Sequence, residues 1–378
     1  MTDSMIELYK NVFSDSPRFL VRSPGRVNLI GEHTDYNNGF VLPLAIDYAL
    51  WMALSPSNEN RIELYSSDFN QRLGFDLDRI ENSHETWLEY VKGIAAHLVE
   101  KNFKPRGFQG VMQSNLPIGA GLSSSAALEM AIIKAFTGIS DFSLGIREMA
   151  VLGQSVENEW IGVNCGIMDQ LISAGGVKDH AMFIDCRSLE CRPIPIPERA
   201  VIAILDTTTR RELANSAYNE RRQQCEEAAA TLNVTSLRDL SLESFVENRT
   251  KLDPIVGDRA LHVISENQRT QLTAKKLEQN DLEGAGKLLV ESHNSLRDLY
   301  EVSSSALNQM TEAALKSRGC FGARMTGGGF GGCAVALVDV GKSDDFREDV
   351  QRLYHNATGL KPSIYLTTAM DGTEIISL

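Results

Sequence analysis

The chain is poor in clustered positive charge: no run of Lys or Arg exceeds two residues, and 37 basic against 50 acidic side chains give a formal charge of −13. Phosphate backbones and anionic lipid surfaces are held by grouped cations, so nucleic acid and membrane are excluded as expected partners. Cysteine pairs at Cys-x-x-Cys spacing are missing too. The six cysteines, Cys165, Cys186, Cys191, Cys225, Cys320 and Cys333, lie scattered, which argues against a zinc site or a disulfide framework and for reduced thiols of a cytoplasmic protein. The longest apolar stretch, Gly39 to Leu54, is too short to span a bilayer and contains Asp47. The first residues, Met1 to Glu7, lack a basic-then-apolar leader pattern. No Gly-x-x-x-x-Gly-Lys-Ser/Thr occurs, so a nucleotide would not be held by a P-loop. Tandem repeats, low-complexity tracts and any mark of an obligate protein partner are absent as well.

What remains is an ordinary globular composition, 43% hydrophobic and 23% charged. At 378 residues it exceeds what one hydrophobic core usually supports, so two domains are expected. Residues 19–22, 27–30, 62–65 and 107–112 read as strands, and 87–99, 125–136 and 143–160 as helices. The proline-punctuated piece Arg192 to Pro197 breaks helices and suits a sheet edge, which places a boundary near 195. Beyond it, 201–205, 333–338 and 363–366 read as strands, and 212–232, 257–279, 281–298 and 303–318 as amphipathic helices. Helices and strands mix without βαβ alternation, which predicts an α+β fold. The expected division is 1–195 and 196–361, with a last strand at about 362–378 returning to the first domain.

Three segments carry residue types that a core does not need. Arg22 to Tyr36 places Arg26, Glu32, His33, Thr34 and Asp35 in a short loop between apolar strands, where charged groups must pair locally or face a polar ligand. Leu116 to Ala127 runs Gly119, Ala120, Gly121, Leu122, Ser123, Ser124, Ser125 from a strand into a helix. Small residues let its backbone close around a ligand, and the free amides of the first helical turn form a seat for polyphosphate. Arg324 to Cys333 holds five glycines in the six positions 327–332, more than a turn requires, which points to close approach of backbone to a ligand or to the other domain. A fourth segment, Cys165 to Leu171, sets Asp169 among apolar neighbours, with Glu157 upstream on a helical pattern.

Together these segments resemble the motifs of the galactokinases, sugar kinases of the GHMP superfamily, in order and spacing over nearly the whole chain. The resemblance implies a ribosomal-S5-like N-terminal domain and a ferredoxin-like C-terminal domain, with the active site between them. It implies ATP and Mg²⁺ as cofactors and galactose as substrate. It assigns Asp169 to accept the anomeric proton, with Arg26 beside it; Glu32, His33, Thr34, Asp35 and Tyr218 to hold the sugar; residues 119–125 and Ser66 to hold the nucleotide; and Ser125 and Glu157 to bind the metal. The third segment is expected to position the site rather than react. Two alternatives stay open: a related kinase acting on N-acetylgalactosamine or L-arabinose, and a non-catalytic sensor. Sensors of that kind lack the Ser-Ala pair after the serine run, which this chain has at Ser125 and Ala126.

Overall fold

The computed structural model describes residues 1–83, 87–117, 119–163, 165–209 and 214–378. Its strands are β1 (Phe19–Asn28), β2 (Phe40–Val41), β3 (Pro43–Pro56), β4 (Arg61–Ser66), β5 (Gln71–Asp76), β6 (Phe108–Ser114), β7 (His180–Asp185), β8 (Glu190–Pro195), β9 (Ala200–Asp206), β10 (Cys320–Met325), β11 (Cys333–Asp339), β12 (Ser363–Thr367) and β13 (Glu374–Ser377). They form three sheets, ordered β13-β1-β3-β6-β4-β5, β10-β11-β9-β12 and β2-β7-β8. Most neighbours are antiparallel, with β4 and β6 the parallel pair of the first sheet. Separate helical and sheet layers of this kind make the α+β fold that the sequence pattern predicts.

The first sheet is covered by helices Leu88–Glu100 and Ser124–Ile139. The second of these is buried on most of its surface, from Ala126 through Ile139, because it lies between the sheet and the helices that follow. The sheet β10-β11-β9-β12 is backed by helices Leu282–Asp298, Ser305–Leu315 and Ser343–Thr358, and β9 and β11 are almost wholly apolar because neither is at an edge.

Three expectations need correcting. Arg22 to Asn28 is not a loop between two strands: β1 runs through it, with a register shift between Pro24 and Arg26. A bulge absorbs the Pro-Gly pair that reads as a turn in sequence. Gly25 is needed there, since a Cβ would strike the Leu122 carbonyl and Leu116, whereas bare backbone lets the Arg26 N–H donate to Leu122 O at 3.2 Å. The predicted helix 143–160 is an α-helix only over Ile146–Ser155 and continues as a π-helical turn, Val156–Ile161. The 362–378 segment is not one strand of the first domain. β12 pairs with β9 in the second half, and only β13 returns to pair with β1. The start of the predicted helix 212–232, and Ile118 in the glycine-serine segment, lie outside the described residues.

Candidate active site

The bulge in β1 delivers Arg26 to Asp169, which sits in the first turn of the short helix Met168–Gly175. The guanidinium donates twice to the carboxylate, Nε to Oδ1 and Nη2 to Oδ2, both at 2.6 Å, and its Nη1 donates to Gly121 O at 2.9 Å. Bidentate pairing of this type fixes direction as well as distance. Burial works against the Arg26 charge, but the carboxylates of Asp169, Glu32 and Asp35 outweigh it and hold the group above its ordinary range. The Ser123 hydroxyl also donates to Asp169 Oδ2. Ser123 reaches it from a left-handed backbone, φ 59°, immediately before helix Ser124–Ile139. The serine expected to hold phosphate therefore also orients the acid.

On one side of this pair lies a cavity of about 260 Å³, lined by Glu32, His33, Asp35 and Tyr218 among others. Glu32 is already engaged: Oε1 accepts from the Gly327 amide at 2.7 Å and the Thr326 hydroxyl at 2.9 Å, and Oε2 from Asn28 Nδ2 at 2.9 Å. Arg324, fully buried, donates to the same Oε1 at 3.4 Å. The carboxylate thus joins β1 to the glycine-rich segment. Asp35 stands otherwise. Burial pushes its carboxyl up to about 6, aided by the nearby Asp169 charge. Only a glycine fits opposite it, because a Cβ on Gly166 would collide with the Asp35 carboxyl group.

His33 adopts φ 63°, and its ring lies 4.8 to 5.9 Å from the rings of Tyr300, Tyr218 and Tyr36. Burial raises the hydroxyls of all three tyrosines well above their usual range, so they stay neutral. Thr34 does not line the cavity. It is fully buried and its hydroxyl bonds to the Gly31 and Phe40 carbonyls at 2.8 and 2.7 Å, so its side chain ties the loop together rather than facing a ligand.

Behind the loop runs helix Pro254–Glu278. His262 Nε2 lies 3.2 Å from Glu32 O, the Gly31 amide donates to Glu266 at 3.2 Å, and the Phe40 amide donates to Asn267 Oδ1 at 2.8 Å. Positions 262, 266, 267 and 270 share one face at helical spacing, and that face is polar and buried. Burial works against the Glu266 charge, but Arg269 and Arg324 outweigh it and bring the group down to about 2.

On the other side of the Arg26–Asp169 pair is a second cavity, about 560 Å³, lined by residues 119–125, Glu157, Gly327 and Gly328. Its glycine-serine rim opens helix Ser124–Ile139, whose N-terminal amides and dipole favour anions. Ser125 and Glu157 both line it. A hydroxyl and one carboxylate are hard oxygen donors that suit Mg²⁺ shared with phosphate oxygens. Among the described residues no three His, Cys, Asp or Glu side chains converge into an all-protein metal cage. Glu157 belongs to the π-helical turn, held against helix Leu88–Glu100 by the Trp160 indole donating to Glu89 at 3.0 Å and by the close approach of Val156 and Trp160 to Gly93. A third cavity, about 670 Å³, continues from Ser124 and Ser125 and holds Ser66 among Leu50, Phe69, Trp87 and Tyr90.

Pattern reading missed Asn28, Thr326 and the polar face of helix Pro254–Glu278, as well as the cavity wall at Gly162, Cys165 and Asn219. Asn28 lies within the first motif segment but reads as an ordinary strand residue, and the helix face mixes polar with apolar residues and carries no motif. The arrangement that results is one carboxylate, fixed by a cation, in the wall shared by two cavities, one lined by Glu32, His33 and Asp35 and the other by the glycine-serine segment.

Comparison with known proteins agrees with that geometry. The galactokinase galactose-binding signature matches residues 7–56, the GHMP kinases N terminal domain 89–176, and the GHMP kinases C terminal domain 273–356. The chain is 41% identical to the galactokinase of Roseiflexus sp. (strain RS-1) over 376 residues, 98% of this chain and 96% of that one. Its fold matches the crystal structure of Lactococcus lactis galactokinase complexed with galactose at a TM-score of 0.95, with 35% identity and 99% of each chain covered. Methanococcus jannaschii mevalonate kinase, at 23% identity and a TM-score of 0.68 over 94% of this chain and 99% of that one, shares the fold alone. The chain belongs to the galactokinase family of the GHMP sugar kinases.

Proposed function

We propose that the chain transfers the γ-phosphoryl group of ATP to the anomeric hydroxyl of α-D-galactose, giving galactose 1-phosphate by direct in-line displacement. The observation that carries this reading is the Arg26–Asp169 pair at the wall common to the two cavities. Galactose occupies the smaller one, against Glu32, His33, Asp35 and Tyr218. The triphosphate lies along residues 119–125, and the base enters the apolar cavity beside Ser66. Asp169 takes the proton of the anomeric hydroxyl as the oxygen attacks, while Arg26 holds the carboxylate in place and offsets charge in the transition state. Ser125 and Glu157 would hold Mg²⁺, which when bound neutralises the phosphate charge. The amide-rich glycine segment closes the site against water, where alignment and electrostatics contribute most of the rate.

The reaction is proposed to take place at a cleft between units 1–195 and 196–361, in the cytoplasm. No disulfide links the described cysteines, and no described helix is long and apolar enough to cross a membrane. Galactose is favoured over N-acetylgalactosamine or L-arabinose by the likeness to the galactose-complexed relative.

Asp169→Asn should leave galactose and ATP-analogue binding measurable by calorimetry while turnover falls by roughly 10²- to 10⁴-fold or more. Near-normal turnover would remove Asp169 from its role. A panel of sugars in an ADP-release assay tests the substrate, and failure to phosphorylate galactose would end the reading.

A further inference from the structure

Gln170 follows Asp169 directly on helix Met168–Gly175, yet lines neither of the two cavities that Asp169 faces. It is fully buried, and its side-chain amide donates to two carboxyl groups at once, Glu129 Oε2 at 3.1 Å and Glu157 Oε2 at 3.2 Å. An amide has two N–H donors, so a position between two carboxyls fixes which way it points. The arrangement is not the one that stability alone would select. Gln170 Oε1 and Glu129 Oε1 are both buried without a hydrogen-bond partner, and orphaned polar atoms of this kind are destabilising. The pocket is also closed against rearrangement: a Cβ on Gly153 would press on Glu129 Oε2, Gln170 Cγ and Met130 Cε.

Three separate elements meet at this amide. Glu129 lies on the helix that opens with the phosphate-binding segment, Glu157 on the π-helical turn, and Gln170 beside the reacting acid. We propose that Gln170 is a positioning residue: its amide holds Glu157, the carboxylate assigned above to the nucleotide's divalent cation, at a fixed place relative to Asp169. This rests on that assignment of Glu157. Glu129 acts from behind, as the second acceptor that keeps the amide turned toward Glu157. A π-helical turn has poorer backbone geometry than an α-helix and little intrinsic rigidity, so a metal-binding side chain on it benefits from a tether to a packed neighbour.

The test measures binding rather than turnover. Mn²⁺ affinity is read by electron paramagnetic resonance of the free ion in the presence of a non-hydrolysable ATP analogue, and galactose affinity by calorimetry. Gln170→Met keeps length and volume but removes both donors. It should weaken Mn²⁺ binding about ten-fold, the usual scale for loss of an outer partner of a metal ligand, and leave galactose affinity within two-fold. Glu157→Gln should weaken Mn²⁺ binding as well, and Glu157→Gln with Gln170→Met should bind no more weakly than Glu157→Gln alone, because the second residue acts through the first. Unaltered Mn²⁺ binding by Gln170→Met, an equal loss of galactose affinity, or additive losses in the double variant would each overturn the proposal while leaving the metal role of Glu157 intact. Wild-type Mn²⁺ binding by Glu157→Gln would instead refute the assignment on which the proposal rests. Should Gln170→Met lack a cooperative melt, Gln170→Asn, whose amide is one methylene too short to reach both carboxyls, is read in the same assay against the same expectations.

Discussion

Asp35 shows what a single side chain contributes and what it costs. Its carboxyl is raised to about 6 by burial beside Asp169 and Glu32, so it loses charge as pH falls through that value. If the ionised form accepts a hydroxyl of the sugar, galactose KM should rise below pH 6, approaching ten-fold per unit, and stay flat above pH 7. A pH series of KM for wild type and for Asp35→Asn, which has no such titration, checks this. The sign for stability is the reverse. A carboxyl that titrates higher in the folded than in the unfolded chain costs no stability below pH 3.8, opposes folding increasingly from there to about 6, and carries its full penalty above that. A shift of that size from an ordinary 3.8 corresponds to about 3 kcal/mol at neutral pH. Asp35→Asn should therefore melt higher than wild type at pH 7 and bind galactose far more weakly, both readable by ligand-dependent thermal denaturation. Residue type alone marked Glu32, His33 and Asp35 as a polar cluster in the sequence, whereas Asp169 stands alone among apolar neighbours and only the family resemblance singled it out. The role of Thr34 was not legible, since a hydroxyl serves a backbone carbonyl as readily as a ligand. Nor was the bond from Ser123 to Asp169, which depends on a left-handed backbone that spacing does not report.

At the scale of elements, helix Pro254–Glu278 is the support on which the loop from Gly31 to Phe40 rests, and Glu266 is its central contact. The carboxylate receives bonds from the Gly31 amide, Ser292 and Arg269 while wholly buried. Glu266→Gln leaves the partly buried Arg269 without its counter-charge, which is expected to destabilise the fold by about 3 kcal/mol, the lower end for a broken buried pair, in chemical denaturation at pH 7. Because Glu266 titrates at about 2 instead of 4.5, its contribution is present above pH 4.5 and is lost as pH falls toward 2. The gap between wild type and variant should narrow over that window; a constant gap would assign the effect to packing. The helix itself was visible in the sequence to within a turn, although its start at Pro254, capped by the Asp253 side chain, was placed three residues too late. Its role was not visible, because a helix with polar residues on its buried face looks like any surface helix until its neighbour is known. Two other misreadings have a similar origin. Pro24 and Gly25 signal a turn, but pairing with β3 carries the strand through them as a bulge. The apolar periodicity of 143–160 continues unbroken where the backbone changes from α to π, because the turn keeps Val156 in the same core.

For the molecule as a whole, the chain ends where it began. β13 zips onto Phe19–Arg22 of β1, and Ile375 fills the space at Gly138. Deleting residues 374–378 should lower the melting midpoint by at least a few degrees and raise light scattering on heating, since the edge of β1 is then open to other chains. Kinetic constants should change little, because no cavity at the active site involves that strand. A fall in activity without a fall in stability would contradict this. The edge strand at the proline-rich piece before β9 could be read, but not the crossing of 363–367 into one sheet and 374–377 into another. Short apolar strands do not name their partners. The carboxylate of Glu32 adds one more consequence. It is gripped by Asn28 on one half of the molecule and by Thr326 and Gly327 on the other. Parting Thr326 and Gly327 from Glu32 would strip two donors from its carboxylate and leave the Arg324 guanidinium without that neighbour, so this seam resists opening at Glu32.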